Sequence, residues 1–294
     1  MFTPSELDFK VVCLDDGTPN QDTVNNLQAV CDLYDVPLIK NEKNMGIPYS
    51  WNRLTEYYDD AELQVLFNDD ICINDSNWLQ TAIYFFENNE NIGSIGWNLI
   101  QIDHKTGMTD KQYEAQTCDG VPGRVGSPVG CSFAFLREHW KKIENPDDSI
   151  GFCEMLRSFY EETWFGFAQA KEGWLSYHLP YPLHEHWGSR TFSTNKNLSV
   201  TEFNEYMTKE EYLDILSKSP KPMSLSLSQH EEIAKNNQAF RMDYSRCLFA
   251  KYWGVKDYWD VPQVEAHNTL KINEAPKRTI KYLDKNMNEQ EVQA

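Results

Sequence analysis

Over its first hundred residues the chain alternates short apolar runs with amphipathic stretches. "FKVVCL" (9–14) is an apolar run that stops at Asp15-Asp16-Gly17, and Thr18, Pro19 and Asn20 supply turn chemistry after it. Val24, Leu27, Cys31 and Tyr34 then recur at three- and four-residue spacing, which predicts a helix capped by Asp22 or Thr23. A short strand at Val36–Ile39 leads through a polar loop containing Gly46 to a second helix, "SWNRLTEYY" (50–58). "ELQVLF" (62–67) predicts the next strand. "DSNWLQTAIYFFENN" (75–89) predicts a helix with Asp75 or Ser76 as its cap and Trp78, Leu79, Ile83 and Phe86 as its apolar stripe. "IGSIGWNLI" (92–100) predicts a further strand. Strand and helix alternating at this period predict an α/β fold with a mostly parallel, Rossmann-like sheet flanked by helices.

Beyond residue 100 the pattern loosens. Residues 101–130 are polar and rich in Gly and Pro, a loop longer than compact domains usually carry. "CSFAFLREHWKKI" (131–143) predicts a strand running into a helix, residues 151–174 are helical or irregular, and "WLSYHLPY" (174–181) predicts another strand. From about residue 200 onward only helical patterns are evident, and the polar last ten residues are expected to fray. The expected organisation is a catalytic domain over 1–199, with halves at about 9–100 and 101–199, and a C-terminal helical extension and tail over 200–294.

Composition narrows the partners. A hydrophobic content of 40% with 13% aromatics is enough to build a core. The formal net charge of −18 disfavours phosphate backbones and anionic lipid, which need clustered Lys and Arg. The one basic segment is Leu270–Lys285, which also fits a solvated tail. Seven scattered cysteines with no C-x-x-C pair argue against a disulfide framework, and Cys13, Cys72 and Cys131 fall in apolar runs where they fit as core residues. No signal-peptide pattern or membrane span is evident, so a soluble, cytoplasmic protein is expected.

The chemistry concentrates at strand ends. Asp15-Asp16 and Asn68-Asp69-Asp70 each follow an apolar run, where open parallel sheets bind ligands. Carboxylates brought that close raise one another's pKa unless a cation joins them, and Mg²⁺ or Mn²⁺ takes one or two carboxylates and completes its shell with phosphate oxygens. Each stretch alone also fits a turn or a cap.

"VVCLDDGTPNQDT", "NEKNMGIPYSWN" and "VLFNDDICIND", in that order, resemble family 2 glycosyltransferases of the GT-A fold, which have a D-G-S/T turn, an N-x-G…N loop and a D-x-D type strand end. "GCSFAFLREHW", "GFCEMLRSFYEETWFG", "HEHWGSRT" and "FAKYWG" extend the resemblance to roughly residues 9–255. It implies a transferase that uses a nucleoside-diphosphate sugar, commonly a UDP-sugar, and a divalent cation, Mn²⁺ or Mg²⁺. By the same resemblance Asp16, or its neighbour Asp15, would contact the base, and Asn44, Gly46 and Asn52 would line the nucleotide pocket. Asn68 or Asp69 would bond the ribose, and Asp70 would hold the metal with His186, His184 being the alternative. Glu162 would be the general base of an inverting transfer. Core packing fits any one of the tryptophans, and Trp164 and Trp187, next to Glu162 and His186, are the ones placed to stack on sugar. The implied acceptor is a hydroxyl of a glycan, lipid-linked sugar or protein. A hydroxymethylated DNA base and a non-catalytic carbohydrate- or nucleotide-binding module are the competing readings. The chain departs from the family pattern in three places. It has only eight residues where a first strand and helix usually precede Phe9, Asn68 in place of an Asp, and Glu162 in place of an Asp.

Overall fold

The computed structural model describes residues 9–73, 75–101, 131–187, 203–218, 238–254 and 279–293. The 101–130 loop, apart from its first residue, lies outside them, as does most of the basic segment ending at Lys285.

The apolar runs become strands and the periodic stretches helices, in the order β1 (Cys13–Asp15), α1 (Gln21–Leu33), β2 (Leu38–Lys40), α2 (Ile47–Tyr57), β3 (Leu63–Phe67), β4 (Ile71–Ile73), α3 (Trp78–Asn88) and β5 (Ile92–Gln101). These are followed by β6 (Ser132–Leu136), α4 (Arg137–Trp140), α5 (Glu161–Lys171), β7 (Leu175–His186), α6 (Lys209–Ser217), α7 (Gln238–Trp253), β8 (Thr279–Leu283) and β9 (Glu289–Gln293). The expected α/β architecture is present. β1 and β2 pair in parallel, and a five-stranded mixed sheet runs in the order β3-β6-β5-β7-β4, with β5 and β7 parallel and the other neighbours antiparallel.

Alternation along the strands sorts side chains onto two faces. Phe133 and Phe135 of β6 pack with Trp51, Trp140, Phe152 and Phe165, on the side covered by α2 and α5. Ala134, between them, joins Ile95, Trp97, Phe85 and Tyr177 on the α3 side. A third cluster ties α5 to α6 and α7 through Trp164, Phe167, Tyr212, Leu216, Leu248 and Phe249.

Local signals shifted at several places. The cap of α1 is Asn20, whose side chain accepts from the Thr23 N–H, rather than Asp22 or Thr23. Tyr34 follows that helix and is exposed. α2 starts three residues early because Gly46, at φ 98°, turns the chain and Pro48 fits the first helical turn. In α3 the buried residues are Gln80, Thr81, Ala82 and Phe85 rather than the more apolar stripe beside them, which is only half-buried. Cys131 is buried, as expected of a core thiol, Cys13 is half-buried and Cys72 is exposed. The C-terminal tail is not frayed. β8 and β9 form a hairpin docked on α3, with Ile280 buried in that core and the Asn89 amide bonded to both the N–H and C=O of Lys281.

Candidate active site

The site is assembled from the ends of elements. Asp15 closes β1, and its carboxylate accepts from the Thr18 N–H at 3.1 Å, shaping the turn through Gly17. Asp16 reaches across to the next loop. Its Oδ1 accepts from Asn41 Nδ2 (2.7 Å) and the Met45 N–H (2.8 Å), and its Oδ2 from the Gly46 N–H (3.0 Å). Both carboxylates are therefore engaged by the chain itself, and Asp16 holds the 41–46 loop in place. Asn44 sits half-buried within that loop.

That loop is stitched to the approach to α5. The Ile47 N–H donates to Arg157 O (2.8 Å), and Arg157 Nη1 donates to Met45 O (2.8 Å). A Cβ on Gly46 would lie 2.6 Å from the Arg157 carbonyl oxygen, so only glycine allows this approach. Arg157, Phe159 and Tyr160 all have positive φ, a strained run that ends at the residue before α5. Ser245 of α7 braces it, donating to the carbonyls of Leu156 or Ser158 (2.9 and 2.7 Å).

α5 opens with Glu161 and Glu162. Burial pushes the Glu162 carboxyl up to about 7, against the lowering effect of its own N–H and the Thr163 N–H and hydroxyl. Glu161 is raised well above the usual carboxylate range, by burial first and then by the Glu162 charge. The Cys131 thiol is raised by burial first and then by the charges of Asp70 and Glu162. Cys131 O in turn accepts the Asn68 N–H (3.0 Å), fixing the turn that carries Asn68, Asp69 and Asp70.

Across that turn β4 pairs with the end of β7, Ile71 opposite His186, and the Trp187 N–H donates to Asp70 O (2.8 Å). This brings His186 Nε2 to 3.4 Å from Asp70 Oδ2. The other carboxylate oxygen, Asp70 Oδ1, is buried without a hydrogen-bond partner. Asp69 remains exposed, and its carboxyl is raised by partial desolvation and then by Asp70. β4, absent from the sequence expectations, is what registers the two ends. Its three residues follow the acids too closely to read as a separate strand.

Three of the expected site residues are engaged by the chain itself. Asn52 is one. Its Nδ2 donates to Phe152 O and Glu154 Oε1 and its Oδ1 accepts from Trp140 Nε1 and the Phe152 N–H, so the buried amide is fully used in joining α2 to the 152–154 turn. Trp164 has no face left for a sugar. It is 2% exposed, donates to Asn145 Oδ1 and packs against Phe249, Tyr252 and Trp253. His184, the alternative ligand, is fully buried against Phe67 and Trp97 with Nδ1 bonded to Ser132 Oγ at 2.7 Å, and burial lowers its pKa to about 4. Sequence reasoning gave Arg157 and Glu161 no site role, although both lie within "GFCEMLRSFYEETWFG", and read Cys131, within "GCSFAFLREHW", as a core residue.

The fold and site thus define an α/β protein with a carboxylate-rich rim where strand ends, a glycine turn and the head of a helix converge. No family model matches the chain, and no curated protein matches it in sequence. Among solved structures it is similar to GalNAc-T7 with UDP, GalNAc and Mn²⁺, at 13% identity and a TM-score of 0.48, covering 83% of this chain and 52% of that one. It is also similar to residues 1–349 of S. aureus TarS (15% identity, TM-score 0.44, 92% and 70% covered) and to S. aureus TarS (12%, 0.46, 99% and 55%). The chain spans about half the length of the first and third of these.

Proposed function

We propose that this chain is a GT-A-type glycosyltransferase of the family 2 kind, moving a sugar from a nucleoside-diphosphate donor, a UDP-sugar in the first instance, to a hydroxyl acceptor. The observation that carries the reading is the meeting of Asp70 and His186, from stretches far apart in sequence that the family pattern had already singled out.

The residues fit a divalent cation. A buried carboxylate oxygen without a partner is costly unless something supplies a positive charge or a donor, and Asp70 Oδ1 is such an atom. Asp70 and His186 would hold the ion. Among the described residues no group of three or more His, Cys, Asp or Glu is arranged to bind a metal, which suits an ion whose remaining ligands are the donor's phosphate oxygens. When bound, Mn²⁺ or Mg²⁺ would offset the charge growing on the departing diphosphate.

Glu162 takes the proton of the acceptor hydroxyl as the oxygen attacks the anomeric carbon. The new C–O bond forms as the bond to the diphosphate breaks, its electron pair leaving with the diphosphate, and in-line attack inverts the centre. A base titrating near neutrality is matched to this task. Asn68 or Asp69, at the same rim, would bond the ribose. Asp16 would act on the nucleotide through the 41–46 loop it holds, and Asn44 and Gly46 would lie along the pocket.

The test is thermal stabilisation by UDP with Mn²⁺, set against the same mixture with EDTA, followed by transfer or donor hydrolysis. Asp70→Ala should lose the metal-dependent stabilisation. Glu162→Ala should keep it and lose turnover by about 10²–10⁴-fold. Unchanged turnover in Glu162→Ala, or no stabilisation of the intact protein by any nucleoside diphosphate, would refute the reading.

A further inference from the structure

Glu161 immediately precedes the proposed base, and the family pattern gave it no role. Its side chain is 6% exposed, and its Oε2 is inaccessible to solvent and bonded to nothing. The surroundings do not supply a counter-charge. On the turn before it, Arg157 donates to Met45 O, on α7 Arg246 pairs with Asp243 at 3.3 Å, and Arg241, also buried on α7, forms no ion pair with either glutamate. On the sheet side α5 meets β5 and β7 through the neutral Ser94, Gln169 and Ser176. Just before β6 stands the Cys131 thiol, which feels the negative charges of Asp70 and Glu162, and along α5 the neighbour is Glu162 itself. Among the described residues no Lys, Arg or His pairs with either glutamate. An ionised carboxylate in this position would leave a buried, uncompensated oxygen next to a second negative charge, whereas a carboxylic acid costs far less.

We propose that Glu161 is a positioning residue for Glu162: the two carboxyls at the head of α5 hold one proton between them, and it resides on Glu161. Of the two, Glu161 is the buried one and Glu162 is only partly covered, so the site further from water is the one that keeps the proton. With Glu161 neutral, Glu162 carries the single negative charge of the pair and alone is free to accept the acceptor's proton. This rests on the glycosyltransferase reading for its purpose, but not for its test.

The test is infrared difference spectroscopy at about pH 8, above the range where Glu162 ionises. The intact protein should show the carbonyl stretch of a buried protonated carboxyl, shifted down in D₂O. Glu161→Gln should lose that band and Glu162→Gln should keep it. Loss in Glu162→Gln with retention in Glu161→Gln, or no such band in the intact protein, would overturn the proposal. If Glu161→Gln does not fold, the intact protein and Glu162→Gln still decide. In turnover, Glu161→Gln replaces one neutral group by another and should stay within the factor of about ten that one hydrogen bond is worth, with the acid limb of its pH profile unmoved. A limb moved to lower pH would mean that Glu161 had been charged. The infrared outcome stands even if the protein transfers no sugar, so the two readings fail separately.

Discussion

Two titratable side chains near the rim are buried to opposite effect. Glu162 is raised to about 7, so turnover that needs its ionised form should climb as pH rises through 7 and level off above it, a profile that kcat/KM against pH would check. His184 is lowered to about 4 from an unfolded value near 6.5. Its stabilising contribution is therefore present above pH 6.5 and is lost as pH falls from 6.5 through 4, amounting to about 3 kcal/mol at the acid end. Glu161 and Glu162 act in the other direction, since their raised values favour folding as pH falls. Urea denaturation of the intact protein and His184→Gln at pH 7.5 and about 4.5 separates the two, and the acid loss should be smaller in the variant. Sequence could place His184 and His186 on one face of a strand, because alternate residues share a face. It could not say which of them met Phe67 and Trp97 and which met Asp70. That choice belongs to the neighbouring strands.

Among the elements, the 41–47 loop and the turn before α5 matter most to the site. Gly46 combines φ 98° with a backbone oxygen 2.6 Å from where a Cβ would stand. Gly46→Ala should cost about 1–3 kcal/mol and weaken nucleotide binding. Gly173 also has positive φ but open space around it, so Gly173→Ala should cost only about 1 kcal/mol and leave binding unchanged. Thermal melts with and without UDP and Mn²⁺ would compare them. The existence of most elements was legible, since α1, α2, α3, β3 and β5 carry clear periodicity or apolar runs. Their ends were less so. α3 shows why: its polar Gln80 and Thr81 are buried while Leu79 and Ile83 are half-exposed. Packing against the hairpin and sheet rotated the helix away from its most apolar face.

At the scale of the molecule, the chain's end is part of its core. Ile280, 2% exposed, sits with Phe85 and Ile95, and the Asn89 amide clamps the Lys281 backbone. Ile280→Ala should destabilise the protein by about 2–5 kcal/mol in urea unfolding, where a frayed tail would give no change. Charge acts at this scale too. With a formal net charge of −18, adjacent acids such as Glu161 and Glu162 gain from a proton or a cation that offsets one of the charges. In the reading proposed here both are used, a metal at Asp70 and a proton at Glu161.

By itself the sequence determined the α/β class and the order of the strand-end acids, which are local matters of an apolar run and a turn. Asp70, His186 and Glu162 were singled out by the family resemblance, which rests on motifs in a fixed order. Only the tertiary structure decided that Asp16, Asn52 and Trp164 are spent on the chain's own hydrogen bonds and packing, and that β4 brings His186 to Asp70. Only the tertiary structure decided, too, that Glu161 is buried without a partner. The reason is physical. A side chain's role depends on whether its polar atoms are satisfied and how far it is from water, and both are set by residues a hundred positions away, as Phe152 is for Asn52.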